Sequence, residues 1–105
     1  MLRKKIEKLK KYHNFNLSWV RIFYFYGGSI KQKNIWGQIN TAVKRENKTF
    51  KMTSGSQYRD YVHLDFIINS LIKINKNNHN HGVVNICSNN PVRVIKLVNT
   101  WIKKY

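Results

Sequence analysis

Arg59 and Asp60 stand together in Ser54-Gly-Ser-Gln-Tyr-Arg-Asp-Tyr-Val-His-Leu-Asp65, a segment that otherwise reads as a β-strand. Tyr58, Tyr61, Val62 and Leu64 carry strand-forming side chains, and Gly55 supplies a turn ahead of them. Held on a rigid strand as a buried pair, the arginine fork can grip a planar or phosphate-like oxyanion while Asp60 orients neighbouring donors. The alternative is a solvated edge arginine with no ligand. Other candidates are poorer. His79 and His81 flank Asn80 in a polar loop without Cys or carboxylate, which does not make a zinc site. His63 and Asp65 alternate onto one strand face with no positioned nucleophile, so a structural hydrogen bond is expected there. Ser54 and Ser56 lie outside any nucleophile-elbow pattern, and Cys87 in its apolar run reads as a small core residue.

Elements must position these side chains. Leu2, Ile6, Leu9 and Tyr12 or His13 fall at helical spacing among lysines, a basic amphipathic helix whose narrow apolar face is most simply packed on a sheet rather than laid on a membrane. Ser18 to Tyr26 is a near-continuous apolar and aromatic run ending at Gly27-Gly28, the pattern of a strand covered on both faces. A second helix is expected over Asn34 to Lys44, with Ile35, Ile39 and Val43 on one face. Lys48 to Thr53 reads as a short strand in which Phe50 and Met52 alternate. Phe66 to Ile74 reads as a third helix with Asp65 as its N-cap, Val83 to Cys87 as a buried strand, and Val94 to Ile102 as a last helix. Helix, strand, helix, strand, strand, helix, strand, helix predicts an α/β fold. Two doubly buried strands do not make a stable core. The chain is therefore expected to be the end of a larger sheet, one partial domain over residues 1–105, with Ile22, Phe23, Val84 and Ile86 left uncovered and marginal stability.

Composition narrows the class. The chain has 105 residues, 42% hydrophobic with three Trp, which suits a folded body rather than a disordered tail. Twenty Lys and Arg against four acidic residues give a formal charge of +16. Such a charge raises nucleic acid as a partner, but the lysines run through every segment among abundant Asn and Ile, which argues against a dedicated nucleic-acid role. The lone Cys87 suits a reducing compartment. No apolar h-region follows the basic N-terminus and no apolar run approaches 18 residues, so a cytoplasmic protein without a membrane partner is expected.

Three ordered motifs carry a resemblance: Trp19-Val-Arg-Ile-Phe-Tyr-Phe-Tyr-Gly27, Phe50-Lys-Met-Thr-Ser-Gly-Ser-Gln-Tyr-Arg-Asp-Tyr-Val62, and Val84-Asn-Ile-Cys-Ser88 followed by Pro91-Val92. In order and spacing they resemble the NAD(P)-dependent nucleotide-sugar epimerases and dehydratases of the extended short-chain dehydrogenase/reductase family, and most the bacterial surface-polysaccharide branch. The resemblance covers nearly the whole chain. It implies a Rossmann-type cofactor domain on the N-terminal side and a smaller C-terminal domain that grips a nucleoside diphosphate sugar. Arg59 matches the family's diphosphate-pairing arginine, a bidentate contact worth about 1.5–3 kcal/mol. Tyr24 and Tyr26 fall at the strand end where such sheets carry ligands, Tyr24 toward substrate and Tyr26 toward cofactor. The family often has Asn where Tyr24 stands. Asn85 and Gln57 are further substrate-side candidates, with backbone capping as the alternative role.

The departures define an expectation about activity. The family's Gly-x-x-Gly-x-x-Gly turn for the cofactor pyrophosphate does not occur, nor does its Tyr-x-x-x-Lys pair: Tyr12, Tyr24, Tyr58 and Tyr61 are followed four residues on by Asn16, Gly28, Val62 and Asp65. The family places that pair at the start of the helix preceding the Trp-Val-Arg strand, so this sequence is expected to begin just past the lysine. Without it, a tyrosine of ordinary pKa about 10 is a poor proton shuttle at neutral pH. Arg93, near the start of the last helix where the family often has Ser or Thr, adds charge where it costs about 0.3–1 kcal/mol. The expectation is a fragment that is inactive alone and binds no NAD or NADP by itself. It would be the product of a broken frame or one subunit complemented by a separately encoded Rossmann half.

Overall fold

The computed structural model describes residues 1–29 and 33–104. Among them, helix α1 (Leu2–Leu9) leads to strands β1 (Ser18–Ile22) and β2 (Tyr24–Tyr26), then helix α2 (Ile35–Lys44). Strands β3 (Tyr58–Arg59) and β4 (Tyr61–His63) run into helix α3 (Leu64–Lys76), followed by β5 (Gly82–Ile86), β6 (Val92–Arg93) and helix α4 (Val94–Ile102). The strands form three pairs: β1 with β5 in parallel, β2 with β4 in parallel, and β3 with β6 antiparallel. This is a small mixed α/β structure with short parallel strand pairs. No helix among the described residues is long and apolar enough to cross a membrane.

The run from Ser18 to Tyr26 is two strands, not one. β1 stays in register with β5 from Ser18↔Gly82 to Ile22↔Ile86, and Phe23 N–H then donates to the Ile86 carbonyl at 3.2 Å. Beyond that bond the chain changes partner, and Tyr24, Phe25 and Tyr26 pair with Tyr61, Val62 and His63. The expected strand over Lys48 to Thr53 does not form. Phe50 and Met52 do alternate inward onto the core around Val94, but no neighbouring strand pairs with their backbone. Side-chain burial produced the period of two there without a ladder.

Two hydrophobic cores lie on opposite sides of β4. Tyr61 packs with Tyr26, Trp36 and Met52 against Ile39, Val94, Val98 and Trp101, whereas Val62 joins Ile67 and Ile86, with Val20 and Ile74 at its margin. Alternation along the strand makes this split. Two small cores in series give an elongated body of 58 × 24 × 22 Å and a radius of gyration of 17.9 Å, against about 13 Å for a compact chain of this length. Ile22 and Phe23 are exposed as expected, but Ile86 is 3% exposed under α3 and Val84 is half-buried. The cover that the sequence leaves unassigned on β5 is supplied by α3 itself.

Helix starts explain which residues hold the rest. Asn34 caps α2, its side chain accepting from Gly37 N–H at 2.9 Å. His63 rather than Asp65 caps α3, with Nδ1 accepting from Asp65 N–H at 3.2 Å, and Asp65 sits in the first turn, where its charge favours the helix dipole. Arg93 is the N-cap residue of α4, but its side chain makes no capping bond to the helix. The first N–H groups of α4 are instead taken by carbonyls across the gap, Val94 by Gln57 at 3.1 Å and Ile95 by Gly55 at 3.0 Å. Gly55 must be glycine for this: its φ is +65°, and a Cβ would lie 2.9 Å from Ile95 N.

Candidate functional site

A cleft of about 350 Å³ opens where β1 ends and β2 begins, lined by Ile22, Phe23, Tyr24, Phe25, Asn34 and Tyr61. It lies past the C-terminal end of β1 and at the N-terminal start of the parallel pair β2 and β4, whose first residues are Tyr24 and Tyr61. Tyr24 and Tyr61 are register partners with ring centroids 5.4 Å apart. Arg59, two residues before Tyr61 and so on the same face, holds its guanidinium 5.6 Å from the centroid of the Tyr24 ring. Its Nη1 donates to the Tyr58 carbonyl at 2.9 Å. Among the described residues no carboxylate forms an ion pair with Arg59, and the side chain is exposed rather than buried as the strand pattern suggests. The reason is length: β3 is two residues long at the rim of the cleft, too short to be covered on both faces.

Tyr61 is held from below. Its ring stands edge-on to Trp101 at 5.8 Å, and Trp101 also meets Tyr26 at 5.2 Å and Trp36 at 5.1 Å. These ring contacts fix the cleft floor to α2 and α4. Burial pushes the Tyr61 phenol above its ordinary pKa; the nearby Tyr24 adds to this and Arg59 opposes it. Tyr61 is a neutral hydrogen-bonding group at physiological pH.

The opposite face of the same strands carries a second cation. Arg93 pairs in register with Tyr58, donates from Nε to its hydroxyl at 3.2 Å, and lies 5.5 Å from its ring centroid. Asp60 serves neither arginine. Its Oδ1 accepts from Ser88 N–H at 2.7 Å, so the carboxylate fastens the turn after β5. Partial burial raises its pKa, but the backbone and hydroxyl bonds of Ser88 and the N–H groups of Asn89 and Asn90 outweigh this and hold it below the ordinary carboxylate value. The orienting role expected of Asp60 is thus directed at a backbone turn.

The expected site residues divide in two. Arg59 and Tyr24 come together, with Tyr26 beneath them in the aromatic stack, its ring 5.1 Å from that of His63. Asn85 is elsewhere: it lies opposite Arg21 and lines a separate hollow with Phe66, Ser70 and Lys73. Gln57 acts through its carbonyl as a cap of α4. Tyr61 and Asn34 were not singled out from sequence. The period of two that links Tyr61 to Arg59 was the available signal for the first, and nothing local marks the second. His63 makes the expected structural bond, and among the described residues no group of three His, Cys, Asp or Glu could hold a metal ion.

No family model, no curated protein and no solved structure matches this chain.

Proposed function

We propose that this chain binds the diphosphate of a nucleoside diphosphate sugar at Arg59, as the substrate side of a Rossmann-type NAD(P)-dependent epimerase/dehydratase fold. The observation that carries this is the exposed Arg59 guanidinium, without a carboxylate partner among the described residues, beside the Tyr24 ring at the rim of a cleft where β1 ends and β2 begins. An arginine so placed can turn its fork from the Tyr58 carbonyl to two phosphate oxygens. Tyr24 and the Tyr61 hydroxyl then face the sugar or nucleoside end, and Ile22, Phe23 and Phe25 offer apolar surface to a ring.

Chemistry is not assigned to these 105 residues alone. They contain neither the Gly-x-x-Gly-x-x-Gly turn for NAD(P) nor a Tyr-x-x-x-Lys pair to move the proton that accompanies hydride transfer. With only one half of a cleft, affinity is expected near 1 mM, about −4 kcal/mol. Calorimetric titration with UDP-glucose and dTDP-glucose tests this, with free glucose as the control. Arg59→Ala is expected to abolish the signal, and Arg59→Lys to keep only a remnant because ammonium cannot match two oxygens in a plane. Equal affinity in Arg59→Ala would refute the assignment, and turnover of a keto sugar nucleotide by the chain with NAD(P)H would refute the separation of grip from catalysis.

A further inference from the structure

Helix α1 packs by its flank and leaves its apolar side outward. Arg3, Ile6 and Lys10 are half-buried, and Lys10 and Glu7 line a hollow with Leu17 and Trp19. No residue of α1 is buried, and Leu2 and Leu9 are 64% and 51% exposed. At 100° per residue, Met1, Leu2, Lys5, Leu9 and Tyr12 fall within about 100° of arc, Tyr12 being held in a further turn by its N–H bond to the Leu9 carbonyl. Met1 is 92% and Tyr12 80% exposed, so the whole stripe faces solvent. The packing on a sheet that would account for an amphipathic helix is thus made by a different side of it.

Charge says what fits this stripe. Arg3, Lys4, Lys5, Lys8, Lys10 and Lys11 are six cations in nine residues, answered only by Glu7, which is engaged 3.0 Å from Arg3 Nε. Lys4, Lys8 and Lys11 border the apolar stripe on one side and Lys5 lies within it, all exposed. A narrow apolar stripe edged by lysines whose stems can bend toward it is the arrangement of a helix lying in a lipid headgroup layer. Four to eight basic residues on an amphipathic helix suit anionic headgroups. We infer that α1 docks the chain in the plane of an anionic lipid surface, with Leu2, Leu9, Met1 and Tyr12 entering the headgroup boundary and Lys4, Lys5, Lys8 and Lys11 on the phosphates. This is independent of the nucleotide-sugar site, which lies on β2, β3 and β4.

The test is co-sedimentation of the full chain with vesicles of phosphatidylcholine alone and of phosphatidylcholine with phosphatidylserine. Binding is expected only to the second. Leu2→Gln/Leu9→Gln, which keeps the charge at +16, is expected to weaken it at least tenfold, since two exposed leucines lose their apolar insertion. Lys4→Gln/Lys5→Gln/Lys8→Gln is expected to weaken it by about a hundredfold, at about fivefold per basic residue near an anionic surface. Near-ultraviolet circular dichroism from the Trp36–Trp101 core checks that the variants stay folded. No sedimentation with phosphatidylserine vesicles at about 0.1 M salt would overturn the proposal. Full binding by Leu2→Gln/Leu9→Gln would also overturn it, by assigning adsorption to the diffuse charge of the whole chain.

Discussion

Gly27→Ala tests how the cleft is braced, because two separable costs meet at one atom. Gly27 has φ +93°, a conformation that costs a side-chain-bearing residue on the order of 1–3 kcal/mol. A Cβ there would also sit 2.6 Å from His63 Nε2 and 3.0 Å from its Cδ2. The imidazole cannot simply swing away, since Nδ1 caps α3 and the ring stands edge-on to Tyr26. That overlap adds about 1–3 kcal/mol, the usual range for overpacking. Gly27→Ala is therefore expected to cost roughly 2–6 kcal/mol, much of the stability of a small domain. His63→Ala alone removes a helix cap at about 1 kcal/mol, but it also removes the clashing ring. In that background Gly27→Ala should cost only its backbone share. Urea melts of the four chains, followed by tryptophan fluorescence in sucrose to keep all of them in range, give the coupling directly. A cost for Gly27→Ala that is the same with and without His63 would refute the packing of the ring on Gly27, and no cost at all would refute the left-handed turn.

Three further outcomes follow from the same geometry. Asp60 has its pKa held below 3.8 by the Ser88 turn, so its contribution is present above that pH and is lost as pH falls through the lower folded value; in Asp60→Asn the urea midpoint should lose that part of its acid dependence, and superimposable pH curves would show the bond to be idle. Trp101→Ala removes a ring that is 2% exposed and touches Tyr26, Trp36 and Tyr61; a loss of about 3–5 kcal/mol should abolish the near-ultraviolet dichroism, and a retained spectrum would refute the stack as the cleft floor. Random oligonucleotide should give no mobility shift at about 0.15 M salt, whereas a salt-steep shift would favour a nucleic-acid partner.

Much of the fold was legible because helices announce themselves locally. α1, α2 and α4 fall where apolar spacing puts them, and Asn34, the first residue of the expected second helix, is its cap in the structure. What escaped depends on partners distant in sequence. Nothing in Ser18 to Tyr26 marks Phe23 as the point where pairing passes from β5 to β4, because both partners accept the same apolar run. Phe50 and Met52 show that alternation records which side is buried and not whether a strand lies alongside. His63 displaced Asp65 as cap because the helix starts two residues earlier than its apolar pattern, at Leu64. At the site, the Arg59 and Tyr24 pairing was within reach of strand periodicity and motif order. The separation of Asn85 from them was not, since it follows from how β5 sits beside β1.

The central claim is that Arg59 and the cleft beside it hold a sugar nucleotide, and amide shift mapping by NMR tests it most directly. Titrating the ¹⁵N-labelled chain with UDP-glucose to about 10 mM, an order above the expected affinity, should move the amides of Tyr24 to Tyr26 and Tyr58 to Tyr61 together, and Arg59→Ala should leave them still. Shifts confined to α1, spread over all lysine-rich segments, or unchanged by Arg59→Ala would contradict it.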